Sequence, residues 1–271
     1  MEIFVLDIGG TNVKLWTSGE AEKEKFPSGK EMTPAQMVEG FKALVGDRKY
    51  DRISIGYPGE VLLGRPVADP VNLGPGWVNF EYHEAFGCPV RIMNDACMQA
   101  LGSYEGGRML YLGLGTGVGS AFIIDGKVVP LALGDLKFHR GETFDHYLSR
   151  KGYERYGEKG WRRAVADAAA QLKAAFFADY VVFGGGNAKK IEELPPDCRR
   201  GGNHNAYFGG IRMWEDVALQ EGVLAPKMEN PVPDPKLHET HGEEPAKEET
   251  AADAADAPPV RSMPTTPRLL A

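Results

Sequence analysis

The sequence is poor in cysteine and in excess positive charge, and it contains no long apolar run. Its 271 residues include three cysteines, Cys88, Cys97 and Cys198, which lie far apart without a CxxC pair. That usage argues against a disulfide framework or a cysteine metal site and predicts reduced, buried thiols in a cytoplasmic protein. A formal net charge of −7 argues against general binding to nucleic acid or to an acidic membrane surface. No stretch approaches the ~20 apolar residues that span a bilayer. No basic leader with a cleavage site and no helix-turn-helix segment stands before Glu2, so neither secretion nor DNA-binding regulation is expected.

What is present begins at once. Ile3-Phe4-Val5-Leu6 reads as a buried strand, Asp7-Ile8-Gly9-Gly10-Thr11-Asn12 as its end and a glycine turn, and Val13 to Thr17 as a second strand with alternating polarity. A dinucleotide fingerprint or a Walker loop requires a helix after its glycines, because the helix N-terminus holds the phosphate. Here a strand follows. Adjacent glycines let backbone N–H groups approach an anion, Thr11 and Asn12 add side-chain donors, and Asp7 is placed to hold a metal ion through water. Alone, the stretch fits an ordinary hairpin equally well.

Further on, Thr33-Pro34-Ala35-Gln36 is a helix start with a capping box and proline at the first turn, and Gly46 is a helix end. Arg52 to Tyr57 reads as a strand closed by Pro58-Gly59, residues 60–80 as a loop or short hairpins, and Val90 to Met93 as a strand running through Asn94-Asp95 into a helix that reaches about Tyr104. Then the opening pattern returns. Met109 to Leu114 is a strand, Gly115-Thr116-Gly117 a glycine turn, Val118 to Ile124 a strand, and Asp125-Gly126 a tight hairpin turn into Lys127-Val128-Val129. Two copies of one unit suggest two related domains that each offer a glycine turn to a shared cleft, which favours the phosphate reading. Lys137 to Arg163 carries eight Lys/Arg against four Asp/Glu, as a solvated helix surface or as a basic lip for a polyanion. Trp161 to Phe177 reads as an amphipathic helix. Tyr180 to Phe183 is a buried strand that ends in Gly184-Gly185-Gly186, with Asn187 as cap of a helix through Leu194. Those glycines serve a flat ligand or a tight turn. The last ordered helix is expected over Gly209 to Leu219. Residues 227–271 hold eight prolines and a net charge of −4, which predicts a disordered acidic tail.

As an ordered set, Asp7-Ile8-Gly9-Gly10-Thr11-Asn12-Val13-Lys14, Gly56-Tyr57-Pro58-Gly59, Asn94-Asp95-Ala96, Gly113 to Gly119 and Val182 to Gly186 resemble the ROK-family sugar kinases of the actin/hexokinase/Hsp70 superfamily. The Gly186 to Lys190 and Glu193 to Pro196 stretches are similar to the polyphosphate-glucokinase-like group. The resemblance covers about residues 2 to 220. It implies an α/β fold of the actin-like, ribonuclease H-like type, duplicated over residues 1–105 and 106–226, with the active site between the halves. It further implies Asp95 as general base, Asn94 as a ligand of the sugar hydroxyls, and Mg²⁺ as cofactor near Asp7. The donor, ATP or polyphosphate, would lie against Gly9, Gly10, Thr11, Asn12, Lys14 and Gly115-Thr116-Gly117, with Gly184, Gly185, Gly186 and Asn187 on its adenosine side. A small-molecule sugar is the expected partner, and a homodimer is what the family suggests.

Two departures accompany the resemblance. The family's Glu-x-Gly-His sugar segment aligns with Ala132-Leu133-Gly134-Asp135, and Asp145 stands where a further sugar-binding Glu is usual. The cysteine-rich loop that follows that His in many members is missing, so no structural zinc is expected. Asp135 and Asp145 are therefore the candidate acceptor ligands of a rebuilt pocket. The reading is an enzyme that phosphorylates a sugar hydroxyl; the alternative is a non-catalytic sensor on the same fold. Polyphosphate use would draw on Lys137, Arg140, Lys189 and Lys190.

Overall fold

The structure is a computed structural model that describes residues 1–18, 23–202 and 204–215. The expected acidic tail and the end of the expected last helix lie outside them. In chain order the elements are β1 (Ile3–Ile8), β2 (Asn12–Thr17), β3 (Glu24–Pro27), α1 (Pro34–Val45), β4 (Arg52–Tyr57), β5 (Val61–Leu62), β6 (Arg65–Pro66), α2 (Tyr82–Phe86), β7 (Val90–Asn94) and α3 (Asp95–Ser103). They continue as β8 (Arg108–Leu114), β9 (Val118–Ile124), β10 (Lys127–Leu131), α4 (Phe144–Leu148), α5 (Arg150–Ala175), β11 (Tyr180–Gly184), β12 (Cys198–Arg200) and α6 (Asn205–Arg212).

Both five-stranded sheets have one design. The first runs β3-β2-β1-β4-β7 and the second β10-β9-β8-β11-β12. In each, the leading strand pairs antiparallel with its successor and parallel with a strand reached by a crossover. This is the duplicated, actin-like α/β fold.

Because both faces of each sheet are covered, the central strands are apolar at nearly every position. Period-two alternation sends Phe4, Leu6 and Ile8 to the side of α1, where Phe41 packs edge-on to Phe4 and to Phe86. It sends Ile3 and Val5 to the opposite side, against Met98 of α3 and Ala206 beside Met213 at α6. In the second sheet Leu110, Leu112 and Leu114 face α5, while Met109 and Tyr111 face Ala96 and Ala100 of α3. Helix α3 thus packs against both sheets in a layer between them, with α6 beside it against the first. By the same alternation Asp7 points into that layer.

The capping box predicted at Thr33 and Gln36 forms, and Gly46 closes α1 at φ +59°. The Asp125-Gly126 turn has φ of +50° and +76°, the left-handed pair that a tight hairpin requires. Three expectations are corrected. The helix expected after Asn187 is one short 3₁₀ turn, Ala188–Lys190, since Asn187 makes no capping bond and the chain must climb to the edge strand β12. The helix expected over Trp161 forms as the part of α5 that follows a break at Gly157 (φ +66°, ψ 175°), and an unexpected helical stretch from Arg150, capped by Ser149, precedes it. The helix expected from Gly209 begins at Asn205 and ends at Arg212. Only Cys97 is fully buried; Cys88, beside the second helix, and Cys198, on the edge strand, keep partial access to solvent.

Helices α3 and α6 touch through glycine. A Cβ at Gly102 would lie 1.9 Å from the Asn205 carbonyl oxygen, and one at Gly209 would lie 1.8 Å from that of Met98. Either clash is against backbone, which cannot rotate away. Gly102→Ala and Gly209→Ala are each expected to lower unfolding free energy by about 1–3 kcal/mol, read from the urea midpoint.

Candidate active site

The site grows from the N-terminus of α3. Asn94 caps the helix, its Oδ1 accepting from the N–H groups of Ala96 (3.0 Å) and Cys97 (3.2 Å), while its Nδ2 donates to the Gly59 carbonyl at 3.0 Å. Asp95 follows at the first helical position, and its Oδ1 accepts from Ala96 N–H at 2.8 Å.

Two glycines let this helix end approach both sheets. Gly56 is the register partner of Asp7, and a Cβ there would lie 2.3 Å from Met98 Cε and 3.6 Å from Asp95 Cα. On the other side, a Cβ at Gly119 would lie 2.8 Å from that of Ala96. Asp95 is thereby brought between the glycine-bearing strands of the two sheets and close to Asp7. Asp7 is buried and accepts a hydrogen bond from Lys14 Nζ at 2.7 Å across the first hairpin. Burial, reinforced by the Asp7 charge, pushes the Asp95 carboxyl up to about 7; the Ala96 N–H and the Lys14 ammonium oppose that rise. Burial and the same carboxylate push the Cys97 thiol up to about 12.

The first turn is held by Gly9 N–H to Asn12 O at 3.1 Å and by Ser28, whose Oγ donates to Gly9 O at 2.6 Å and whose N–H donates to Thr11 O at 3.0 Å. Gly10 and Thr11 are left exposed and Asn12 partly so. The second turn is held by Gly115 N–H to Gly117 O at 3.1 Å, and Gly117 is exposed. The third glycine segment packs directly on it. Gly185 has φ +75°, and a Cβ there would lie 2.6 Å from Leu114 O. Asn187 is buried, with its N–H donating to Leu114 O at 2.9 Å and its Nδ2 to Gly115 O at 3.5 Å. The third segment therefore joins the second turn.

The acceptor candidates sit differently. Asp135 is exposed at the end of a short 3₁₀ turn, Leu133–Asp135. Asp145, in the first turn of α4, accepts from Val118 N–H at 2.9 Å through its Oδ1. Of the proposed basic residues, Lys190 stacks its Nζ 3.4 Å from the Tyr153 ring centroid, and no described contact joins it to Lys137 or Arg140.

Sequence reasoning missed several neighbours. Asn72 packs against Gly10, whose Cβ would lie 3.3 Å from that of Asn72. Its loop is braced by Asp69, which accepts from the N–H groups of Trp77 (2.8 Å) and Gly76 (3.2 Å) and whose carboxyl is held low by those bonds. Arg150 donates its backbone N–H to Gly115 O at 2.8 Å. The signals were an Asp-Pro start before a glycine-rich loop, and a serine ahead of Arg150-Lys151.

Two sheets of one topology, with a helix-borne carboxylate between their glycine-bearing strands, make the duplicated actin-like fold. Residues 3–132 match the model of the ROK family. It is 26% identical over 208 residues to the polyphosphate glucokinase of Mycobacterium leprae, an alignment covering 70% of this chain and 61% of that protein. The chain thus spans less than two thirds of that relative's length. It is 28% identical over 159 residues to an N-acetylmannosamine kinase of Salmonella newport, covering 53% of this chain and 54% of that one. Among solved structures, the inorganic polyphosphate/ATP-glucomannokinase of Arthrobacter sp. strain KM shares the fold, with a TM-score of 0.66 at 24% identity over 78% of this chain and 97% of that one.

The raised carboxyl gives a test with a defined sign. An Asp pKa of about 7 in the fold, against ~3.9 unfolded, means the native state holds an extra proton between those values. The contribution of Asp95 to stability is full below pH ~4 and is lost as pH rises through about 7. Asp95→Asn is therefore expected to raise the melting temperature more at pH 8 than at pH 4. Asp7→Asn is expected to move the Asp95 titration, followed by carboxyl ¹³C NMR, below about 7.

Proposed function

We propose that the protein transfers the terminal phosphate of ATP or polyphosphate to a hydroxyl of a hexose or a close relative. The observation that supports the reading is that Asp95 stands at the first helical position of α3, between glycine-bearing strands of the two sheets, with its carboxyl pushed up to about 7. A base with that pKa is half ionised near neutral pH, where general-base catalysis works best.

The acceptor oxygen attacks the terminal phosphorus in line with the leaving oxygen. Asp95 takes the hydroxyl proton as the new O–P bond forms, and the bridging O–P bond breaks with its electrons staying on the shortened donor. Asn94 uses one N–H on Gly59 and has its second amide hydrogen left for a sugar hydroxyl. Asp135 supplies the acceptor side where the family has a charged sugar ligand. Gly9 to Asn12 and Gly115 to Gly117 offer backbone N–H groups to the donor phosphates, Lys14 adds a cation, and Gly184 to Asn187 form the adenosine side.

Among the described residues no three His, Cys, Asp or Glu side chains converge to hold a metal. Mg²⁺ keeps several waters and takes other ligands from phosphate, so a single carboxylate, Asp7, fits it through water. When bound it neutralises phosphate charge and orients the terminal group. Asp7, paired with Lys14, would fix its hydration shell.

The test is turnover by purified protein with Mg²⁺, ATP or polyphosphate, and a panel of hexoses. Asp95→Ala is expected to lower kcat by about 10²–10⁴-fold with donor affinity retained. Polyphosphate as donor would show an apparent affinity that falls steeply with salt, and ATP a shallower dependence. Donor binding without turnover on any acceptor would overturn the kinase reading in favour of a sensor, for which the loss of Glu and His at Ala132 and Asp135 is the motive.

A further inference from the structure

Asp145 stands where the resemblance places a sugar ligand, yet its carboxylate points elsewhere. Aspartate is one methylene shorter than glutamate. Here its Oδ1 is spent on Val118 N–H at 2.9 Å, and a Cβ at Gly117 would lie only 3.1 Å from it. The second glycine turn is gripped at its other end by the next helix start, where Arg150 N–H donates to Gly115 O at 2.8 Å. Ser149 N–H donates to Asp145 O at 3.2 Å, so the two grips are one rigid junction between α4 and α5. The same strand carries the acceptor-side segment. Ser120 Oγ donates to Leu131 O at 2.9 Å and accepts from Leu133 N–H at 3.0 Å, and a Cβ at Gly134 would lie 3.1 Å from Val118 O.

We propose that Asp145 is a positioning residue that holds the second glycine turn in its phosphate-accepting shape, and that it is not a sugar ligand. The inference rests on the reading of that turn as a donor site. A carboxylate accepting from a backbone N–H makes a charge-assisted bond. Its oxygen fixes the direction of Val118 N–H and, through Gly117, which N–H groups of the turn remain free for an anion. An asparagine preserves the acceptor oxygen at the same reach; an alanine removes it.

The experiment compares Asp145→Ala and Asp145→Asn with wild type in three readouts: direct titration of a non-hydrolysable ATP analogue and of polyphosphate, the acceptor KM, and amide hydrogen exchange at residues 115–118. Asp145→Ala is expected to weaken donor binding about tenfold or more, to leave the acceptor KM within about twofold, and to accelerate exchange at Val118. Asp145→Asn is expected to recover most of the donor affinity and protection. A raised acceptor KM in both variants with unchanged donor affinity overturns the proposal in favour of direct sugar contact. Unchanged Val118 exchange in a folded Asp145→Ala overturns the grip itself. If wild type binds no donor while Val118 exchange still depends on Asp145, the donor reading falls and the grip stands.

Discussion

The structure depends on how closely one short helix can lie against two sheets at once. Helix α3 reaches the first sheet because Gly56 lacks a side chain and the second because Gly119 lacks one. That closeness half-buries Asp95 and sets it near Asp7, and burial with a like charge is what raises a carboxyl toward neutrality. A side chain at either glycine would push the helix end outward, let more water reach Asp95 and lower its carboxyl toward the ordinary range. The geometry of the fold and the raised carboxyl of Asp95 are therefore one constraint. Natural sequences accept such costs at functional sites, where an ionisable group is kept in a place that disfavours its charge.

The architecture was legible in the sequence because it is written twice. Neither glycine turn is distinctive alone, but both are followed by a strand, and both strands lead through a tight turn into a third. Buried strands announce themselves by runs of apolar residues such as Ile3 to Leu6 and Met109 to Leu112, and the start of α1 by its capping box. What stayed hidden were features settled by contact at long range. Asn187 has the chemistry of a cap, and only the fold shows it turned toward Leu114 and Gly115. Cys198 looks like any core thiol until its strand proves to be an edge. The start of α5 was obscured because Gly152, Gly157 and Gly160 dilute its helical pattern, though Ser149 was a usable signal.

The candidate site divides along the same line. Residues on strand ends and helix starts (Asp7, Asn94, Asp95) fall together because short-range geometry carries them there. Residues in the stretch from Ala132 to Asp145 are placed by two short turns and a bridge between Lys137 and Thr143, none of which has a strong local code. The proposed donor side is accordingly read from motif, while the proposed acceptor side requires coordinates. Recognition of hydroxyls in a buried site is unforgiving of unpaired groups, so on the proposed kinase reading the exposed position of Asp135 bears more on which acceptor fits than on whether phosphate can be transferred.

Helix α6 comes late in the chain and returns to its beginning. Ser54, in β4, the strand parallel to β1, donates its Oγ to Gly210 O at 2.6 Å across 156 positions, and Trp214 Nε1 donates to the same hydroxyl at 2.7 Å. During synthesis at ~5–20 residues per second, the inner face of the first sheet would wait on the order of 8–30 s for the segment that covers it. Until then Ile3, Val5 and Met98 present an uncovered apolar face, and strands made before α6 are finished only when it arrives. The exposure of that face to chaperones and to misassembly with neighbouring nascent chains is set by that delay.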